Sequence, residues 1–223
     1  MDFELSPEQQ LLQSTLRDFA TRELLPAYQA RDRDEDLPPA LVRELGELGV
    51  LASMVGARYG GAGLDYVSLG IAHEEIARGD FNAAYVLLLA GLVGAIIARN
   101  GDPRQKAAYL PPVCRGEVLC ALAVTEPAGG SDAAHVKLQA HRDGDQYLLD
   151  GEKTSISFSS SAATALVMAR TGSVEQGAHG VSAFYVDLNS PGVSRTRFKD
   201  LGSRAIGRGS LFFDSVRVPA NAR

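Results

Sequence analysis

The sequence predicts an α+β protein built as an all-helical block followed by an all-strand block. Apolar residues recur at helical spacing up to about residue 116, and from 117 onward they alternate or form short strand-like runs. The two patterns do not interleave, so an alternating α/β sheet is not expected. The expected domains are therefore 1–116, helical, and 117–223, an antiparallel β-sandwich or barrel-like domain.

Each element has a local reason. "SPEQ" at 6–9 is a capping box with Pro7 in the first helical turn, and Leu12, Leu16 and Phe19 share one face of a helix expected to reach about Leu25. "RDRDED" then reads as a polar connection. Pro38 and Pro39 open a helix carrying Leu41, Leu45 and Leu48, with Gly49 as its stop. After the glycine-rich turn "RYGGAGLD", helices are expected at about 66–78 and 82–99. The second is apolar almost all round, which marks a helix buried on most sides or one lining an apolar pocket. "DPRQ" at 102–105 repeats the capping-box logic. "VLCALAVT" reads as a buried strand. Val136, Leu138 and Ala140 alternate with polar residues, the Asp-Gly step in "RDGDQ" marks a hairpin turn, and further strands are expected at 164–170, 181–188 and 210–217.

Composition narrows the function classes. The 223 residues are 45% hydrophobic and carry a net charge of −5, which does not favour nucleic acid as a partner. No apolar run is read as reaching bilayer length, and the acidic start "MDFELSPEQQ" resembles neither a signal peptide nor a transit peptide. With Cys114 and Cys120 the only cysteines, and no metal-ligand spacing, the expectation is a reduced, cytoplasmic protein without a metal site.

The stretch "LAVTEPAGGSD", Leu122 to Asp132, carries the chemistry. Gly129 and Gly130 free the backbone to approach an anion, and Thr125 and Ser131 place hydroxyls on either side. A tight turn without a ligand explains the stretch alone equally well. It is neither a P-loop nor a GxGxxG fingerprint.

"AVTEPAGGSD" resembles the characteristic segment of the acyl-CoA dehydrogenase family, flavoenzymes that desaturate acyl-CoA thioesters. "RYGGAGLDYVSLGIAHEEIAR", "GDPRQKAAYLPPVCRGE", "DGEKTSIS" and "LGSRAIGRGSLFFDSVRVPANAR" resemble other segments of that family in the same order. The resemblance implies a helical domain, a middle domain of two packed sheets and a C-terminal four-helix bundle, the last without sequence here. It implies FAD as cofactor, with Leu122, Val124 and Thr125 at the flavin ring and Gly130 and Ser131 at the pyrophosphate. Ser155, Ile156 and Ser157 match a second flavin segment, with Ser157 where a Thr usually donates to flavin N5. Ser131 would also border the acyl-CoA thioester arm, and Tyr85, Leu88 and Leu89 would lie near the floor of the acyl site. Ser155 stands where the family commonly has Trp, Leu122 where several members have Tyr, and His135 where a small residue is usual. The "GEKTSIS" version looks like relatives acting on alicyclic carboxyl-CoA thioesters.

Glu126 and Asp132 are expected to brace the turn rather than act as base. The family's catalytic carboxylate comes from the bundle, so no catalytic residue is assigned here and the base is expected beyond Arg223. The chain is thus expected to be a truncated form, inactive alone. Electron-transferring flavoprotein is the implied acceptor, and the complete protein is expected to be a homo-oligomer. The alternatives are a non-catalytic binding or assembly subunit completed by a partner chain, and a flavin monooxygenase- or nitroalkane-oxidase-like relative.

Overall fold

A computed structural model describes residues 4–223, which divide into two compact units. One runs through Glu117 and takes back Leu201–Ile206; the other comprises Val118–Asp200 and Gly207–Arg223. The α+β class is as expected.

The helical unit begins with α1, Pro7–Phe19, whose capping box forms as read: Gln9 N–H donates to Ser6 Oγ at 3.2 Å and the Ser6 N–H to Gln9 Oε1 at 3.0 Å. The helix does not run on regularly to Leu25. It widens into a π-turn, Ala20–Leu24, and tightens into a 3₁₀ turn, Leu25–Ala27. Residues spaced by four drift by roughly 40° around a regular helix. The widened turn offsets that drift, and Leu16, Ala20 and Leu24 are all buried. Gly79 of α4, Tyr66–Gly79, fits against this turn, where a Cβ would lie 2.6 Å from the Ala20 carbonyl oxygen.

The polar stretch expected to connect helices is itself helical: α2 spans Tyr28–Asp34 and ends at Glu35 in the left-handed region, φ 56°. Its charges hold it. Arg31 Nε donates to Asp80 at 2.7 Å and Arg31 Nη2 to the Leu24 carbonyl at 2.6 Å, while Asp32 accepts the Arg204 N–H at 2.6 Å. That last bond ties Leu201–Ile206 into this unit, with Ala205 and Ile206 buried.

Helices α3, Pro39–Glu47, α5, Phe81–Asn100, and α6, Pro103–Cys114, follow the sequence reading, and Gly49 has φ 72° just past the end of α3. By length and composition α5 could cross a bilayer, which corrects the expectation that no run reaches that length; 56% of its apolar window is buried in the structure, the signature of a core helix. Leu87, Val93 and Ile97 face inward beside Leu16, Leu45, Ile76 and Leu110 in the unit's core. Arg17 clamps α1 to α4 through a bidentate pair with buried Glu75, 2.9 Å at Nε.

The strand unit holds one seven-stranded sheet: β1, Cys120–Ala123; β2, Gln139–Asp143; β3, Gln146–Ile156; β4, Thr164–Arg170; β5, Val181–Asp187; β6, Val193–Arg195; β7, Gly209–Pro219. The order is β1-β4-β2-β3-β7-β6, with β5 also on β4. The sheet is mixed rather than wholly antiparallel, because β4 runs parallel to β1 and meets β2 in parallel at Gln139↔Arg170. The hairpin turn between β2 and β3 forms as read, with Gly144 at φ 62°. β2 starts later than its alternation suggests: Val136 and Leu138 are buried but precede the strand.

Candidate functional site

Two segments singled out in the sequence, 122–131 and 155–157, become neighbours in the strand unit. Beyond β1 the chain runs on through Val124 and Thr125, and the Thr125 carbonyl accepts the Thr154 N–H at 2.9 Å. Glu126 and Gly129 then exchange both backbone hydrogen bonds at 3.0 Å around Pro127–Ala128, closing a two-residue hairpin. Proline at the first central position pre-sets the turn's φ.

A buried ion pair fixes this turn. The Glu126 carboxylate, 7% exposed, accepts from the amides of Lys137 at 2.6 Å and Leu138 at 2.9 Å, and from Lys153 Nζ at 2.8 Å. Lys153 has no exposed surface and also donates to the Val124 carbonyl at 2.9 Å. Burial pushes the Glu126 carboxyl upward, but Lys153 and the two amides outweigh it and hold the group below its ordinary value. The bracing role expected of Glu126 is what this geometry provides. The sequence reading did not single out Lys153, although a lysine at an inward-facing strand position signals a buried partner.

A second buried cation is Arg170 of β4, 3% exposed. It donates to the carbonyls of Ala134, Val136 (3.1 Å), Ser173 (3.2 Å) and Gly177 (3.0 Å). It therefore ties the 133–137 stretch to the turn that follows β4.

Neither Gly129 nor Gly130 has a positive φ, so the backbone itself does not require glycine there. Space is what the glycines leave. A Cβ on Gly129 would meet nothing within 4 Å, whereas one on Gly130 would crowd Thr125 Cγ2 at 3.2 Å. Among the described residues, the amides of Gly130 and Ser131 have no protein acceptor. A pocket of about 170 Å³ is lined by Glu126, Gly129, Gly130, Asp132, His135 and Lys137, among others. Asp132 takes His135 Nδ1 at 2.7 Å, and that bond chiefly lowers its carboxyl, with burial opposing.

In the second segment Ser155 has φ 58° and Phe158 φ 59°, and the β3–β7 register slips between Lys153 and Ile156. A serine in the left-handed region costs on the order of 1 kcal/mol. Ser155 is exposed, and its Oγ accepts from Arg208 Nη1 at 3.2 Å. Arg208 is itself held by Asp200 at 2.7 and 3.2 Å and lies 5.1 Å over the Phe198 ring. Ser157 is half-buried, while the Ile156 side chain is buried at 2% and leaves mainly backbone for a ligand. Leu122, Val124 and Thr125 are half-buried.

In the helical unit, Tyr85 and Leu88 lie along an open stripe of α5 with Phe81 and Leu92, whereas Leu89, 6% exposed, is turned into the core and backs that stripe. Both cysteines are buried, and burial pushes the Cys120 thiol up to about 11.

Residues 6–117 match the acyl-CoA dehydrogenase N-terminal domain, and residues 121–216 the middle domain. This chain belongs to the acyl-CoA dehydrogenase family. It is 36% identical over 218 residues to the mitochondrial short-chain specific acyl-CoA dehydrogenase of Rattus norvegicus, covering 97% of this chain and 53% of that relative. Among solved structures it is similar to a glutaryl-coenzyme A dehydrogenase in complex with glutaryl-CoA, TM-score 0.94 at 35% identity, over 100% of this chain and 57% of the other. A glutaryl-CoA dehydrogenase from Mycobacterium smegmatis in complex with FADH2 gives 0.89 at 31% identity, covering 98% and 55%. The chain spans little more than half the length of these family members.

Proposed function

We propose that this chain forms the flavin- and thioester-binding part of an FAD-dependent acyl-CoA dehydrogenase. The observation that carries the reading is the Thr154–Thr125 hydrogen bond, which sets the two segments expected at the flavin edge to edge. The surroundings suit a dinucleotide. Gly129 leaves open space that no internal packing demands, the Gly130 and Ser131 amides await an acceptor, and Glu126 is already neutralised by Lys153.

On this reading Leu122, Val124, Thr125, Ile156 and Ser157 hold the ring, Ile156 through its backbone. Ser155 borders them, and Gly130 and Ser131 hold the diphosphate. Bound FAD supplies the hydride acceptor for α,β-desaturation of an acyl-CoA thioester. The Ser157 hydroxyl offers a hydrogen bond to N5, Ser131 also borders the thioester arm, and Tyr85 and Leu88 give the acyl chain an apolar surface backed by Leu89. No residue of this chain is assigned the base, because Glu126 is consumed by Lys153 and two amides and Asp132 by His135. Electron-transferring flavoprotein as acceptor, a homo-oligomeric state and cytoplasmic residence complete the proposal.

The test is to load the purified full-length gene product with FAD and add octanoyl-, isobutyryl- and cyclohexanecarboxyl-CoA in turn. Bleaching of the flavin by at least one thioester supports the activity. Bound flavin that none of them bleaches refutes dehydrogenation, and failure to bind FAD at all refutes the cofactor assignment.

A further inference from the structure

The charges around the Gly130–Ser131 turn do not cancel in a fixed way. Arg170, 3% exposed, has four carbonyls rather than a carboxylate as partners, two of them on the 133–137 stretch that carries His135. Glu126 is matched by Lys153. Lys137 adds a positive charge to the pocket lining, and Asp132 adds a negative one beside the two unpaired amides. His135 decides the balance, because its Nδ1 lies 2.7 Å from Asp132 Oδ2. Protonated, it covers the carboxylate and leaves the pocket cationic. Neutral, it leaves the Asp132 charge facing whatever anion the turn receives.

We propose that the His135–Asp132 pair gates anion binding at the Gly130–Ser131 turn, so that a diphosphate group is held more tightly when the imidazole is protonated. The inference rests on the FAD reading for the identity of the diphosphate, but the gating geometry stands apart from it. The titratable and charged groups around His135 are Asp132, Lys137 and the Glu126–Lys153 pair on its own segment and β3, Arg170 of β4, and Glu175 and His179 on the 3₁₀ stretch Val174–Gly180 packed against Ala133–His135. The sign follows from the geometry: affinity is high with the imidazole protonated and falls as it gives up that proton. Both partners are well exposed, 61% and 66%, so solvent screening keeps the change to roughly three- to fivefold.

The experiment measures FAD affinity by calorimetry at pH 5.5 and pH 8 for the wild type, His135→Gln and Asp132→Asn. In parallel, the Gly130 and Ser131 amide signals are followed by NMR as inorganic pyrophosphate is added. The expected result is tighter binding at pH 5.5 in the wild type only. His135→Gln should be weak at both pH values, and Asp132→Asn strong at both. Bound FAD with the same affinity and pH profile in all three proteins overturns the gate while leaving the cofactor reading intact. Pyrophosphate shifting the amides with the predicted pH dependence, in a protein that ignores FAD, supports the gate and overturns the cofactor. Silence towards both probes overturns both.

Discussion

Replacing Lys153 by methionine isolates the interaction that fixes the turn. Methionine fills nearly the same volume, so the substitution leaves little cavity and the loss is electrostatic. Two hydrogen bonds disappear, to Glu126 at 2.8 Å and to the Val124 carbonyl at 2.9 Å. Glu126 stays buried without its counter-charge. Removing one member of a buried pair costs about 3–5 kcal/mol. The amides of Lys137 and Leu138 continue to hold the carboxylate, which places the expected loss near the lower end, about 3 kcal/mol.

The pH dependence gives the sharper test. In the wild type the Glu126 carboxyl is depressed. Its stabilising contribution is therefore present above the unfolded carboxyl pKa, about 4.3, and is lost as pH falls through the lower folded value. Without Lys153, burial dominates and raises the folded pKa above the unfolded one. The variant then regains stability as pH falls through that raised value. Urea unfolding at pH 7 and pH 5 should show a gap between the proteins that narrows at the lower pH. Glu126→Gln in the Lys153→Met background should recover part of the loss at pH 7. A deficit below about 1 kcal/mol, or one equal at both pH values, would refute the argument.

The remaining predictions address space and strain. Gly129→Val should leave the melting temperature within about 2 °C, because its Cβ meets open space, while cutting FAD affinity at least about tenfold if the gap admits the cofactor; calorimetry and a thermal melt on one preparation decide. Gly79→Ala should cost on the order of 2–3 kcal/mol, since the new methyl would lie 2.6 Å from the Ala20 carbonyl and 2.9 Å from Leu24 Cβ, and unchanged unfolding would mean the π-turn yields easily. Ser155→Gly relieves a left-handed serine and should stabilise by about 0.5–1 kcal/mol, read as a small rise in melting temperature; a fall would show that the Arg208 hydrogen bond outweighs the strain.

Features that depend on near neighbours were legible in the chain. The capping boxes at Ser6–Gln9 and Asp102–Gln105, the stop after α3 at Gly49 and the hairpin at Gly144 each involve residues within a few positions, and each forms as read. The turn at 126–129 belongs here too, though its glycines serve space rather than positive φ. The stretch "RDRDED", 31–36, has the polarity of a connection, yet its first four residues close a helix that Asp80 and Arg204, far along the chain, hold in place.

Local pattern by itself determined where helices give way to strands, because periodicity and capping are enforced within one or two turns of chain. The assignment of residues to a flavin nucleotide came from the family resemblance and not from local pattern. Only the tertiary structure decided that β4 runs parallel to β1, that Thr154 bonds to Thr125, that Lys153 neutralises Glu126 and that Arg170 donates to the Val136 carbonyl. Those partners are separated by 27 to 44 positions or bridge different strands. Hydrogen bonding and charge pairing over such separations leave no periodic trace, since their cost is loop closure and burial rather than local conformation.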